Sequence, residues 1–428
     1  MSSRKQFINQ ISGGALALAS TAFLTKPLSD SFYEDLNSFS GSALDIAKDE
    51  DFWATVQQAF TVDRSLINLN NGGVSPSPEF VQAAMKKHLD FSNQAPVYNM
   101  WRILEPRREG VRQRIARMFG VDTEEIALTR NASESLQICQ LGIDLKKGDE
   151  VLTTDQDYPR MITTFQQRER REGIKPNQFS IPVPAENDDE IVSLFEQNIT
   201  PKTKLILMSH IVNISGQILP VKKVVQMARK KGIPVIVDGA HAFAHFSFNQ
   251  EDLDCDYYTT SLHKWLFAPH GTGMLYVKKD KIKDLWPMMA APETMDENIR
   301  KFEEIGTHPA ANFLAIGEAL TFHEGIGSDR KEARLKYLND YWIDQLIDND
   351  RVVLHTSRNP KYACAIATVE LKGIAPNDLN AALWRDYRII TTPINHHQFK
   401  GIRVTPNVYT TLEELDRFVD ALKDQLKS

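Results

Sequence analysis

Two short segments of this chain carry residue types whose spacing suits amine chemistry. Val235-Ile236-Val237-Asp238-Gly239-Ala240-His241 places an acid just past a fully apolar run. Farther on, Tyr257-Tyr258-Thr259-Thr260-Ser261 delivers Ser261, His263 and Lys264, followed by Trp265-Leu266. A lysine beside an aromatic residue in a dry pocket suits Schiff-base formation, because desolvation lowers the amine's pKa and frees its lone pair. A carboxylate from a neighbouring strand can keep a pyridine nitrogen protonated, which makes the ring an electron sink. Either residue alone would be an ordinary solvated end of an element; together they point to a site.

The elements around these segments account for their placement. From about Glu125 to Val277, β-rich runs alternate with helical stretches. Ile126 to Thr129, Glu150 to Thr154, Lys204 to Ser209 and Pro234 to Val237 read as strands, whereas Ala132 to Ile143 and Val221 to Lys231 read as helices, the latter ended by Gly232. Glycine-rich His270-Gly271-Thr272-Gly273 turns the chain into a strand from Met274 to Val277. Such alternation predicts an α/β fold with a mostly parallel sheet, whose carboxyl edge would present Asp238 to a ligand. After Thr307 the texture becomes α+β, with helical patterns from Ala310 to Phe322 and from Lys331 to Ile347, a strand from Ala363 to Leu371, a helix-like Pro376 to Leu383, a strand at Gly401 to Thr405 and a closing helix from Thr411 to Leu426. The expected organisation is an export segment over 1–25, an N-terminal extension over 26–64, a large domain over 65–309 and a small C-terminal domain over 310–428.

From about residue 65 onward the chain resembles the class V aminotransferase family of pyridoxal-phosphate enzymes, and within it the isopenicillin N epimerase-like branch. The resemblance rests on the acid and histidine after one strand, and on Ser261-Leu262-His263-Lys264-Trp265 with its glycine turn after another. It implies an aspartate aminotransferase-like fold of type I, pyridoxal 5'-phosphate as cofactor, Lys264 holding it as a Schiff base, and Asp238 beside the ring nitrogen. In Thr129-Arg130-Asn131-Ala132-Ser133-Glu134 it implies that the amides of Ala132 and Ser133, with the Ser133 hydroxyl, cradle the phosphate at a helix N-terminus. Asn131 or Ser133 would equally serve as a plain N-cap. The resemblance further places Ser261 and His263 on the phosphate, Tyr158 stacked on the ring, Asn213 and His241 near the phenolic oxygen, and Arg403 on the substrate carboxylate, which its planar fork suits. His241 would equally pass for a packed core histidine. Thr307 is expected to reach the phosphate held by a partner subunit, which implies a homodimer.

One departure narrows the reaction. Cysteine desulfurases share this fold but need a cysteine just before the segment of the carboxylate-gripping arginine, and Thr391 to Phe399 contains none. Cys364 lies earlier, in the strand-like Tyr362 to Val369. The expected activity is therefore transamination or epimerisation of an amino acid or amino-acid-derived substrate. The alternatives are a C–S or other β/γ-elimination without a persulfide cysteine, and a non-catalytic binding protein of the same fold. Substrate identity would sit in Pro96 to Trp101 and Thr392 to Phe399, taken as loops.

Composition closes off other classes. A net charge of −6 over 428 residues gives no basic footprint for nucleic acid. The three cysteines stand singly, without the paired spacing of a zinc site or a disulfide framework. His241 and His245 lie four apart and His396 and His397 are adjacent, but the zinc-protease pattern is absent and no metal is expected. Arg4 and Lys5 precede a small-residue apolar run from Ile11 to Leu24, which resembles a twin-arginine export signal with Lys5 in the second position. Export to the periplasm is the expectation and a cytoplasmic protein the alternative. That run is shorter than the roughly 20 apolar residues of a membrane helix.

Overall fold

The computed structural model describes residues 28–427, so the expected export segment lies outside the described residues. The chain divides into two units, residues 1–40, of which the helix Leu28–Ser38 is described, and residues 41–428. All that follows concerns the second unit.

Its larger sheet has seven strands: β1 (Ile126–Thr129), β2 (Glu150–Thr154), β3 (Lys175–Phe179), β4 (Thr203–Ser209), β5 (Val235–Asp238), β6 (Tyr257–Ser261) and β7 (Gly273–Val277). They lie in the order β1-β7-β6-β5-β4-β2-β3. Only β7 runs against its neighbours. The carboxyl ends of β1, β2, β4, β5 and β6 therefore share one edge. β1, β5, β6 and β7 are buried along their whole length, which is why they read as continuous apolar or small-residue runs rather than alternating ones.

Helices α1 (Ala132–Gly142), α2 (Pro159–Glu172) and α3 (Val221–Lys230) belong to the same layers. In α3, Val221, Val224, Val225 and Ala228 are buried, the i, i+3, i+4, i+7 stripe of a helix with one face on a core, while Lys222 and Lys223 point outward. Gly232, at φ +70°, supplies the left-handed turn that returns the chain to β5. The sheet's core joins Val151, Leu205, Leu207, Ile236 and Leu275 to Leu136 and Phe165 of the helices.

The second sheet is antiparallel, with β8 (Val352–Leu354), β9 (Ala367–Leu371), β10 (Thr392–Asn395) and β11 (Lys400–Val404) in the order β10-β11-β9-β8. Its core of Val369, Ile402 and Val404 is covered by Trp342 and Ile343 from α4 (Ser328–Asp344) and by Leu415, Phe418 and Leu422 from α6 (Leu412–Lys427), with α5 (Pro376–Tyr387) contributing Leu379 and Leu383. Ile67 and Leu69 also lie in this core, where Ile67–Asn68 pairs in parallel with Ile389–Ile390.

The structure differs from expectation at three places. The strand expected from Ala363 begins only at Ala367, because the backbone N–H of Ala365 is spent on His245 Nε2 (3.0 Å) instead of on a strand neighbour. Thr392–Asn395 is a strand, not a loop; it is the sheet edge, where Pro393 costs no ladder hydrogen bond. Pro96–Tyr98 is helical and runs into the π-helical Asn99–Leu104, with Pro96 at the helix start where its missing N–H is harmless.

Candidate active site

At the shared carboxyl edge lies a cavity of about 400 Å³ lined by residues from both sheets. Asp238 ends β5, Ser261 ends β6, Ser209 ends β4, and Ala132 and Ser133 open α1 just after β1. Tyr158 precedes α2, with Pro159 as its first residue. Arg403 comes from β11 and Thr392 from β10, so the cavity lies where the two sheets meet.

Lys264 is buried in this cavity, with Nζ 3.2 Å from His241 Nε2. Burial pulls its amine down to about 8; the negative Asp238 opposes this and Arg403 adds to it. Burial also pushes the Asp238 carboxyl up, countered by the Ala240 N–H that donates to Oδ1 (2.9 Å) and by the charge of Lys264. His241 is held far below the ordinary imidazole range, by burial first and then by Lys264 and Arg403, so it is a neutral partner for the amine.

The helix start is organised for an anion. The Asn131 side chain accepts from Glu134 N–H (2.8 Å), so Asn131 is the N-cap. Ala132 N–H donates to Ser261 Oγ (3.0 Å), so that amide is already occupied and the Ser261 hydroxyl proton is left to face a ligand. Ser133 lines the cavity with an amide and a hydroxyl. His263 approaches Thr272 O through Nδ1 (3.1 Å), and burial lowers its pKa to about 4. Gly273 makes this packing possible: a Cβ there would come within 2.6 Å of the Asn131 backbone.

Arg403 donates to Asn213 O (3.0 Å) and Asn70 Oδ1 (2.7 Å), but no carboxylate pairs with it among the described residues. Its Nε is buried without a partner, and so are Asn213 Oδ1 and His241 Nδ1. Burial lowers the guanidinium to about 10. Orphaned donors and acceptors are expensive in a dry interior, and here they line one cavity. The arrangement suits a polar ligand with an anionic group at α1, a protonated nitrogen at Asp238 and a carboxylate at Arg403.

Ten of the eleven residues expected from sequence line this cavity: Lys264, Asp238, Ala132, Ser133, Tyr158, Asn213, His241, Ser261, His263 and Arg403 share it, whereas Thr307 is exposed and lies away from it within one chain.

 Asn131, offered by the sequence only as an N-cap, caps α1 and lines the cavity as well. Thr392, from a segment expected to set substrate identity, lines it too, whereas sequence reasoning missed Gly72, Gly73 and Ser209, which also line it, and Asn70, which holds Arg403. The turn-forming Asn70-Asn71-Gly72-Gly73 after an apolar run was the available signal for the first group. Asp157 was missed too: its carboxylate accepts from Thr154 N–H (2.7 Å) and Oγ1 (2.9 Å), and from Ser209 N–H (2.9 Å) and Oγ (2.8 Å). It braces the ends of β2 and β4 beneath the cavity, and burial pushes it up to about 6 against the pull of those donors. Cys139, Cys255 and Cys364 are all buried, and none lines the cavity.

The aminotransferase class-V family model matches residues 67–418. The isopenicillin N epimerase of Streptomyces clavuligerus is 27% identical over 387 residues, covering 86% of this chain and 97% of that protein. A probable cysteine desulfurase of Halalkalibacterium halodurans is 26% identical over 386 residues, covering 84% of this chain and 92% of its own. Among solved structures, a C-DES mutant with glycine covalently linked to the PLP cofactor superimposes with a TM-score of 0.77 at 21% identity, covering 86% of this chain and 99% of the other.

Proposed function

We propose that this chain, which belongs to the aminotransferase class-V family and is a pyridoxal-phosphate-dependent enzyme, moves a proton at the α-carbon of an amino acid or amino-acid-derived substrate, in transamination or epimerisation. The observation that carries this reading is the buried Lys264 amine, drawn down to about 8, in one cavity with Asp238 and the carboxylate-free Arg403. Pyridoxal phosphate, when bound, supplies an electron-withdrawing ring conjugated to the substrate's amino group. Lys264 would hold the cofactor and afterwards carry the proton on Nζ, with neutral His241 accepting a hydrogen bond from it. Asp238 would keep a proton on the ring nitrogen. Ser133, Ser261 and His263 would bind the phosphate, with Ala132 fixing the Ser261 hydroxyl; Asn213 and His241 would meet the phenolic oxygen, and Tyr158 the ring face. Arg403 would take the substrate carboxylate in its fork.

The absence of a cysteine from the cavity lining favours these reactions over sulfur transfer to a protein thiol. Elimination without a persulfide cysteine is the second reading, supported by the desulfurase relatives. Borohydride reduction and peptide mapping should find the cofactor on Lys264; a wild-type protein that is loaded with cofactor yet carries no adduct there would overturn the assignment. A panel of α-deuterated amino acids, with and without a keto-acid acceptor, then separates the reactions. Accumulation of the pyridoxamine form identifies a transaminase, loss of deuterium with inversion an epimerase, and release of keto acid and ammonia without acceptor a lyase.

A further inference from the structure

Outside the cavity, the fold brings Asp155 to the adjacent His396 and His397 from the far end of the chain, and all three side chains are of types that can ligate a metal. Asp155 directly follows β2, while His396 and His397 follow β10 at the tip of the hairpin that leads into β11. His397 Nε2 lies 2.7 Å from Asp155 Oδ2, and His396 Nε2 lies 3.8 Å from Oδ1 and 3.3 Å from the Asp155 backbone O. The three candidate ligand atoms all fall within 4.8 Å of one another.

An ion pair alone accounts poorly for this geometry. One imidazole satisfies one carboxylate oxygen, and Oδ2 already has both His397 and the Ser180 hydroxyl. Oδ1 is buried without any hydrogen bond, and it is the oxygen that the second imidazole faces at too long a distance to bond. The two rings lie side by side, with centroids 4.3 Å apart, so two imidazolium charges there would repel each other. A cation between the three groups resolves each of these features. Zinc–ligand bonds of about 2.0–2.2 Å place neighbouring ligands of a tetrahedron roughly 3.4 Å apart, so ligand atoms that already lie within 4.8 Å of one another have only to draw modestly together around the ion. Two imidazoles and one carboxylate select a transition metal over calcium or magnesium, which take oxygen ligands. Binding through His396 Nε2 requires the proton on Nδ1, so the 3.4 Å contact from Gln398 N–H to that atom would lapse.

We propose that Asp155, His396 and His397 form a zinc site of the His₂Asp type, with water in the fourth position on the exposed side of His397. The site would pin the β10–β11 hairpin to the turn that bears Asp157 and Tyr158, at a seam where Gln156 Nε2 already donates to Gln398 Oε1 (2.8 Å). Zinc here fastens one rim of the cavity and takes no part in the reaction, so the site stands whichever amino-acid chemistry the cavity performs.

The test uses the full chain loaded with pyridoxal phosphate, stripped of metal with chelator and titrated with zinc chloride by calorimetry, with bound metal counted by mass spectrometry. The expected result is one zinc per chain with micromolar or tighter affinity, weakened at least tenfold in His397→Ala and lost in His396→Ala/His397→Ala, while the cofactor's absorption band is unchanged in all three proteins. His397 is exposed, so the single variant keeps the fold and isolates the ligand. Equal zinc uptake by the double variant, which means adventitious binding or binding by the cofactor, would overturn the proposal. So would no zinc retained by wild type, or calcium competing on equal terms.

Discussion

At the scale of single residues, Lys264 is the group whose environment matters most. An ordinary lysine, with a pKa near 10.4, is neutral in fewer than about one molecule in a thousand at pH 7; at a pKa of about 8 the fraction is about a tenth. Only the neutral amine has a lone pair with which to attack an aldehyde. Burial is the main cause of the shift, and the opposing charges of Asp238 and Arg403 partly cancel. The sign follows directly: raising the pH deprotonates the amine and should speed recapture of pyridoxal phosphate by cofactor-free protein. The rate should climb about tenfold per pH unit up to about pH 8 and level off above it, read as growth of the cofactor band in stopped-flow mixing. A rate that goes on climbing steadily to pH 10 would mean that the amine is not perturbed. His241, held neutral by burial, adds no charge to this balance although its Nε2 lies 3.2 Å from Nζ.

At the scale of elements, the packing of β7 against the start of α1 sets the anion-binding end of the cavity. Gly273 pairs with Thr129 across one flank and Ser261 across the other. Gly273→Ala would press a methyl group onto the Asn131 backbone at 2.6 Å, and backbone cannot give way as a side-chain tip can. Overpacking of this kind costs about 1–3 kcal/mol, and the displaced atoms carry Ser133 and the Ala132–Ser261 bond. The variant should lose at least tenfold in pyridoxal-phosphate affinity, measured by equilibrium titration, while Gly110→Ala, whose new Cβ meets nothing, should leave affinity unaltered. Much of this level was legible in the sequence because the information is local. The stripe of Val221, Val224, Val225 and Ala228 and the runs through Asp238 and Ser261 declare themselves within ten residues. What could not be read depends on distant partners. Asp157 becomes informative only beside Ser209, and Asn70 only beside Arg403. Ala363 to Ile366 has the composition of a strand, but a histidine more than a hundred residues away takes the Ala365 N–H.

At the scale of the whole molecule, two expectations reach beyond the described residues of one chain. No helix among those residues is long and apolar enough to cross a membrane, and export through residues 1–25 is proposed on the sequence pattern of that segment alone. Removal of residues 1–25 should leave a cofactor-loaded, active enzyme, while Arg4→Gln with Lys5→Gln should hold the full chain in the cytoplasm. Fractionation of the native host that finds only unprocessed chain inside the inner membrane would refute export. The second expectation is a homodimer in which Thr307 completes the neighbouring subunit's phosphate site. Within one chain Thr307 is exposed and lies away from the cavity, although Ser133, Ser261 and His263 stand at its anion-binding end. A threonine in that position has no reason to affect cofactor binding unless a second copy brings it there. Thr307→Ala should therefore weaken pyridoxal-phosphate binding severalfold without lowering the melting temperature of the cofactor-free protein. Mixed dimers make the argument specific: Thr307→Ala combined in one subunit with Lys264→Ala leaves one intact site only if the threonine acts within its own chain. If it acts across the interface, the wild-type subunit's cavity faces the defective threonine, and the heterodimer should bind its single cofactor as weakly as the Thr307→Ala homodimer does. Wild-type affinity in that heterodimer, or a monomer in light scattering at working concentration, would remove the shared site.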